Sequence, residues 1–128
     1  MAMALIEVLA GHTDADKREL MEAVRRALCE SLQVPDDDPT IRLIEHAPDS
    51  VIVPPRQSDR YTITTITMFH GRTLGTKRRL YQRLVAELAQ LGVPAEDVQV
   101  VLHEPAVENW SRAGIPASET DPGFTINI

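Results

Sequence analysis

"GHTDADKREL" at residues 11–20 and "GRTLGTKRRL" at residues 71–80 are two versions of one segment. Gly11, Thr13, Lys17, Arg18 and Leu20 return sixty positions later as Gly71, Thr73, Lys77, Arg78 and Leu80. Further along, "LQVP" at residues 32–35 returns as "LGVP" at residues 91–94, and Leu43 and Glu45 return as Leu102 and Glu104. The offset shortens by one, as a single-residue loop deletion would produce. An ordered series of matches reads as two copies of one unit.

Each copy reads as strand, helix, strand. In the first, "ALIEVLA" at residues 4–10 is β-like and Gly11 breaks it. Thr13 with Asp16 makes a capping-box-like pair, with Asp in place of the usual Glu. Leu20, Val24, Leu28 and Leu32 form an apolar stripe at helical spacing. Val34, Pro35 and the Asp run end that helix, and "TIRLIEH" at residues 40–46 follows as a strand. In the second copy, "YTITTITMF" at residues 61–69 is rich in β-branched and aromatic residues. Thr73 can cap the next helix, whose stripe is Leu80, Leu84, Leu88 and Leu91. "VQVVLH" at residues 98–103 is the fourth strand, with Val98, Val100 and Leu102 on one face. A strand–helix–strand unit of this length implies a parallel pair with a right-handed crossover. The expected class is therefore α/β: two tandem β-α-β units making a mixed four-stranded sheet with helices on one face.

The organisation expected is a single domain over 1–128. The duplication covers 1–48 and 61–110, with a linker at 49–60 and a C-terminal arm at 111–128. The linker, rich in proline and polar residues, reads as a loop around one short strand, "VIV". The final "FTINI" reads as a strand with no partner nearby in sequence. Such an edge needs covering, which points to oligomerisation.

Composition bounds the function. At 128 residues and 43% hydrophobic content, the chain can bury a core of its own. A net charge of −6 argues against a nucleic-acid partner, since phosphate binding relies on clustered Lys and Arg. The lone Cys29 excludes a disulfide framework and a multi-Cys metal site, and it lies where a small buried hydrophobe fits. No apolar run reaches membrane-spanning length and no signal peptide is recognised, so a cytoplasmic protein with no membrane partner is expected.

The order and spacing of the early strand, "GHTD", "GRT", "KRRLY", "VPDDD", "LHE" and "ENW" resemble the tautomerase superfamily, nearest its malonate semialdehyde decarboxylase branch. The resemblance implies a homotrimer, no cofactor and no metal. It also implies catalysis by the amine of an N-terminal Pro, exposed by loss of the initiator Met at the floor of a pocket. Counting back from Gly11 without a gap puts that position on Ala2. An Ala amine is still a base, of ordinary pKa about 7.7–8.0. Burial or nearby cations lower it, and it can form a Schiff base. It rotates, however, where a pyrrolidine ring would fix the lone pair, and orientation matters to rate.

Other positions have a chemical reading beside a plain one. Arg72, just before Thr73, suits a carboxylate near helix N-terminal N–H groups or is a solvated surface residue; the resemblance makes it the carboxylate anchor. His70 stands where that branch has a second arginine, and donates to a carboxylate, shuttles a proton, or merely caps and packs. Asp38 closes "VPDDD": the resemblance makes it the partner of the amine, while composition makes it one of three solvated turn carboxylates. A metal site from these Asp residues with Glu45 and His46 is a weaker alternative without a recognised ligand spacing. Trp110 is a pocket wall by resemblance, or an interface plug. His12, the counterpart of Arg72, lines a pseudo-symmetric pocket or is a turn residue. Tyr81 reads as core, and Lys77, Arg78 and Arg79 as a solvated helix face.

Three functions follow. One is tautomerase- or decarboxylase-type chemistry on a small carboxylate-bearing keto, enol or aldehyde ligand, with Ala2 and Asp38 catalytic and Arg72, His70 and Trp110 binding. Another is a non-catalytic homotrimer that binds a carboxylate or is structural. The third is a hydratase using Asp38 and water.

Overall fold

A computed structural model describes residues 1–128. The elements are β1 (Ala2–Leu9), α1 (Asp14–Leu32), β2 (Thr40–His46), β3 (Thr62–Met68), α2 (Leu74–Ala89) and β4 (Val98–His103), followed by a small hairpin of β5 (Ser111–Arg112) and β6 (Ile115–Pro116). β1 to β4 form one sheet in the order β2-β1-β3-β4. β1 runs parallel to β2 and β3 parallel to β4, while the central β1/β3 pair is antiparallel and sets Ala2 opposite Met68. This is the mixed sheet of two β-α-β units.

Local chemistry explains where the helices begin. The Thr13 hydroxyl accepts from the Asp16 N–H at 3.1 Å, and the Asp16 carboxylate accepts from the Thr13 N–H at 3.2 Å, completing the capping box. The Thr73 hydroxyl accepts from the Thr76 N–H at 3.2 Å in the same way. Before each cap, Gly11 and Gly71 share φ = +128°, a backbone region that a side chain would strain. α1 ends where Gln33 turns left-handed and its N–H donates to the Cys29 carbonyl.

Burial follows the helical stripes. Leu20, Val24, Leu28 and Leu32 of α1 and Leu80, Leu84 and Leu88 of α2 join Ala2, Ala4, Ile6, Val8, Ile66 and Met68 in one core with Cys29. Burying each Leu contributes about 1.5–3 kcal/mol. Tyr81 departs from the expectation of a core residue: it is 37% exposed. One residue beyond Leu80 is a 100° rotation on a 3.6-residue helix, which carries its ring off the buried stripe.

Both helices pack on the same sheet face. The opposite face carries Leu5, Ile63, Ile44 and Val101, of which the last two are 46% and 43% exposed. No helix is long and apolar enough to cross a membrane.

Two expected strands are absent. Residues 51–53 carry no regular structure and do not join the sheet, and Ile52 is 98% exposed. Both edges of β1 are already taken, and Pro54 and Pro55 would add no donors to a ladder. Residues 124–128 are not a strand either. They fold over the start of α2, where the Ile128 main-chain oxygen accepts from the Thr73 N–H at 2.9 Å and the Thr76 hydroxyl at 2.8 Å. The first turn of a helix has N–H groups without internal acceptors, and the tail supplies one. The case for an oligomer therefore moves from the tail to the open sheet face.

Candidate functional site

The start of β1, the loop between α1 and β2, and the β5/β6 hairpin converge at one end of the sheet. Asp38 is held in its turn by its N–H, which donates to the Pro35 carbonyl at 3.0 Å. Its Oδ1 lies 3.5 Å from the N-terminal amine of Met1, and its Oδ2 is buried without a hydrogen-bond partner. Met1, Ala2, Asp38, Trp110 and Arg112 line a cavity of about 540 Å³. A neighbouring cavity of about 230 Å³ shares Met1, Asp38, Arg112 and Pro122. Ala2 is 1% exposed, and with Met1 in place its nitrogen is a peptide nitrogen. The Met1 amine is held below its ordinary pKa mainly by burial, and also by the Arg72 charge; Asp38 opposes that shift by charge and hydrogen bonding.

Arg72 is 5% exposed. Its Nη1 donates to the Phe69 carbonyl at 3.3 Å, while Nε and Nη2 are buried without partners. The guanidinium carbon lies 5.5 Å from the centre of the Phe124 ring, within cation–π range. Phe124 stacks on Phe69 at 6.5 Å, and Phe69 meets Trp110 edge-on at 5.2 Å. Burial pushes the Arg72 pKa down, and the charges of Asp38 and Glu104 counter it. Arg72 is not among the residues lining the larger cavity. His70 is exposed and also outside that lining, with its main-chain N–H donating to the Pro105 carbonyl at 3.1 Å.

The structure separates the groups of the metal alternative. Asp38 precedes β2, whereas Glu45 and His46 end it. Glu45 accepts from the Gly11 and His12 N–H groups at 3.1 and 3.2 Å and pairs with Lys17 at 2.7 Å, which draws its pKa down to about 2. His46 pairs instead with Glu7 at 2.9 Å.

A second, altered version of the site lies at the other end. There Lys17 pairs with Glu45, and its repeat counterpart, Lys77 with Glu104 at 2.9 Å, lies at the Arg72 end of the sheet. Asp97 occupies in "VPAED" the place that Asp38 has in "VPDDD". Where Asp38 faces an amine, Asp97 accepts from the N–H of Ser58 at 3.0 Å and from its hydroxyl. His12 lines a cavity of about 270 Å³ nearby with Arg60, Asp16 and Glu19, its Nδ1 lying 3.1 Å from the Leu9 carbonyl oxygen.

Sequence reasoning overlooked Arg112, Phe69, Phe124 and Pro122. The chain has only five aromatic residues, one Trp, two Tyr and two Phe, and three of them meet here. That scarcity was the available signal. Arg112 carried none, because a single exposed arginine after Trp110 has no distinguishing pattern.

The profile of a family described as "Tautomerase enzyme" matches residues 38–113. "Probable tautomerase RSp0893" of Ralstonia nicotianae is 39% identical over 54 residues, which are 41% of this chain and 77% of that protein. Among solved structures, a malonate semialdehyde decarboxylase superposes with a TM-score of 0.82 at 23% identity, covering 91% of this chain and 94% of the other. At that identity the likeness speaks for the fold. FG41 malonate semialdehyde decarboxylase inhibited by 3-bromopropiolate gives 0.76 at 28% identity, over 91% and 92%. The Q0 fused 4-OT symmetric trimer gives 0.81 at 27% identity, over 91% and 96%.

Proposed function

Since the chain belongs to the tautomerase enzyme family, we propose that it performs weak or altered tautomerase- or decarboxylase-type chemistry on a small carboxylate-bearing keto, enol or aldehyde compound. The observation that carries this is the amine beside Asp38 in a cavity, with burial favouring its neutral, basic form. Loss of Met1 transfers that role to Ala2. The neutral Ala2 amine takes the proton of an enol hydroxyl and the oxygen becomes a carbonyl. The carbon–carbon π pair then takes that proton from the ammonium at carbon, which restores the neutral amine, so one proton has moved from oxygen to carbon. Asp38 orients the amine and stabilises its protonated form.

Arg72 anchors the substrate carboxylate through its two unpartnered nitrogens, Nε and Nη2. Protonated His70 is a second donor on the same turn, and Trp110 walls the pocket. The unpartnered Asp38 Oδ2 favours one further reading, in which that oxygen is the base toward a water that adds to the substrate. No cofactor enters either reaction.

The assembly proposed is a homotrimer closed over the open sheet face; the Q0 fused 4-OT, similar in fold, is a symmetric trimer. A cytoplasmic location completes the proposal and suits an unpaired Cys29.

Ala2→Pro tests the reading. Intact mass first establishes whether Met1 is lost. Ketonisation of enol-phenylpyruvate, followed in the ultraviolet, then compares the two proteins. A fixed secondary amine raises the rate at least tenfold, about 1.4 kcal/mol, if aim is what Ala2 lacks. No gain with Met1 removed favours a non-catalytic carboxylate-binding trimer.

A further inference from the structure

We propose that Arg112 is a specificity-determining residue which reads a second carboxylate on the ligand, so that the site prefers dicarboxylates. This rests on the carboxylate-site reading above and deepens it. Arg112 belongs to the walls of both cavities that share Met1 and Asp38. A ligand that reaches the amine therefore lies within the same walls as this guanidinium. Arg72, the other cation near the amine, is buried under Phe124 and outside that lining. The two arginines thus address a ligand from different surroundings, one buried and one open.

The mounting of Arg112 suits this role. It pairs with Ile115 across a two-residue turn in which Ala113 and Gly114 have φ of 54° and 80°, the twisted hairpin form. The base of the hairpin is tied by the Ala117 N–H, which donates to the Trp110 carbonyl at 2.7 Å. Trp110 in turn rests on Phe69. A guanidinium on such a short, tied hairpin loses less freedom on binding than one on a long loop. The chain's own carboxylates leave it free: its arginine and N-terminal ion pairs involve Arg25, Arg26, Arg83 and Met1. Asp37, Asp38 and Asp121 line the same two cavities, and Asp38 is already engaged by the amine. A planar fork of donors carried by a residue of the cavity wall matches a carboxylate in bidentate fashion.

The test is calorimetric titration at low ionic strength with pyruvate and with 2-oxoglutarate, which carries an added carboxymethyl group and with it the second carboxylate. The wild type binds 2-oxoglutarate at least tenfold more tightly. Arg112→Gln lowers 2-oxoglutarate affinity at least tenfold and pyruvate affinity less than twofold. Arg112→Lys keeps part of the preference, and added salt erodes it, because the contact is solvent-exposed. Preference that survives Arg112→Gln overturns the proposal, as does an equal loss for both ligands. A wild type that binds both equally, with both lost in Arg72→Gln, overturns the role of Arg112 alone. A wild type that binds neither overturns the carboxylate-site reading and this inference with it.

Discussion

At the N-terminus, three neighbouring influences act on one nitrogen and their signs differ. Burial disfavours the ammonium form most, the Arg72 charge acts in the same direction, and Asp38 stabilises the cation. The amine therefore titrates below its ordinary value in the native protein. Arg72→Gln moves that titration upward, and Asp38→Asn moves it further down. The pH dependence of reductive methylation at the N-terminus measures both. An upward movement in Asp38→Asn would mean that Asp38 does not face the amine in solution. Asp38 and Trp110 are singled out by the resemblance, through "VPDDD" and "ENW"; composition alone leaves Asp38 a turn carboxylate and Trp110 an interface plug. Which residues share a cavity wall depends on how distant segments pack, and so Arg112 and Phe124 were invisible.

At the level of single elements, Glu45 joins the entrance of α1 to the end of β2. It accepts the two N–H groups of the Gly11–His12 turn and pairs with Lys17. Its folded pKa of about 2 lies below the ordinary carboxylate value of about 4.3. Its contribution to stability is thus complete above that ordinary value and is lost as the pH falls toward 2. Urea midpoints of Glu45→Gln and the wild type should differ above pH 5 and converge as the pH falls through that window. A constant difference at all pH values would show that the charged form has no special role. The helices were legible for equally local reasons, namely Thr caps, a Gly before each cap and a Leu every fourth residue. Residues 51–53 and 124–128 look like strands in composition, but pairing is decided by which edges are free. The first segment lies beside the end of β1 and the start of β3, away from the free edges of β2 and β4, and the second found the unsatisfied start of α2 instead. Tyr81 was misjudged by one residue of helical phase.

For the molecule as a whole, two helices cover one side of a four-stranded sheet and leave the other side open. Ile44 and Val101 stand on that open side. If three copies close over it, Ile44→Asp and Val101→Asp place charges in a dry contact. Each should then dissociate the trimer at micromolar concentration while keeping far-ultraviolet dichroism intact. Sedimentation equilibrium reads the outcome, and a wild type that stays monomeric contradicts the assembly.

The seal that Ser58 places on Asp97 has a topological meaning. Tyr61 stands in the second unit where Met1 stands in the first, so the two ends of the sheet differ in whether the covalent chain is open there. Joining residue 128 to Met1 by a linker and opening the chain ahead of Tyr61 would exchange the two roles. A new amine would then face Asp97 from the beginning of β3, with His12 in the position Arg72 now holds. The old amine beside Asp38 would become an ordinary peptide nitrogen. Which unit presents a terminal amine beside its Asp would thus follow from the circular order of the chain.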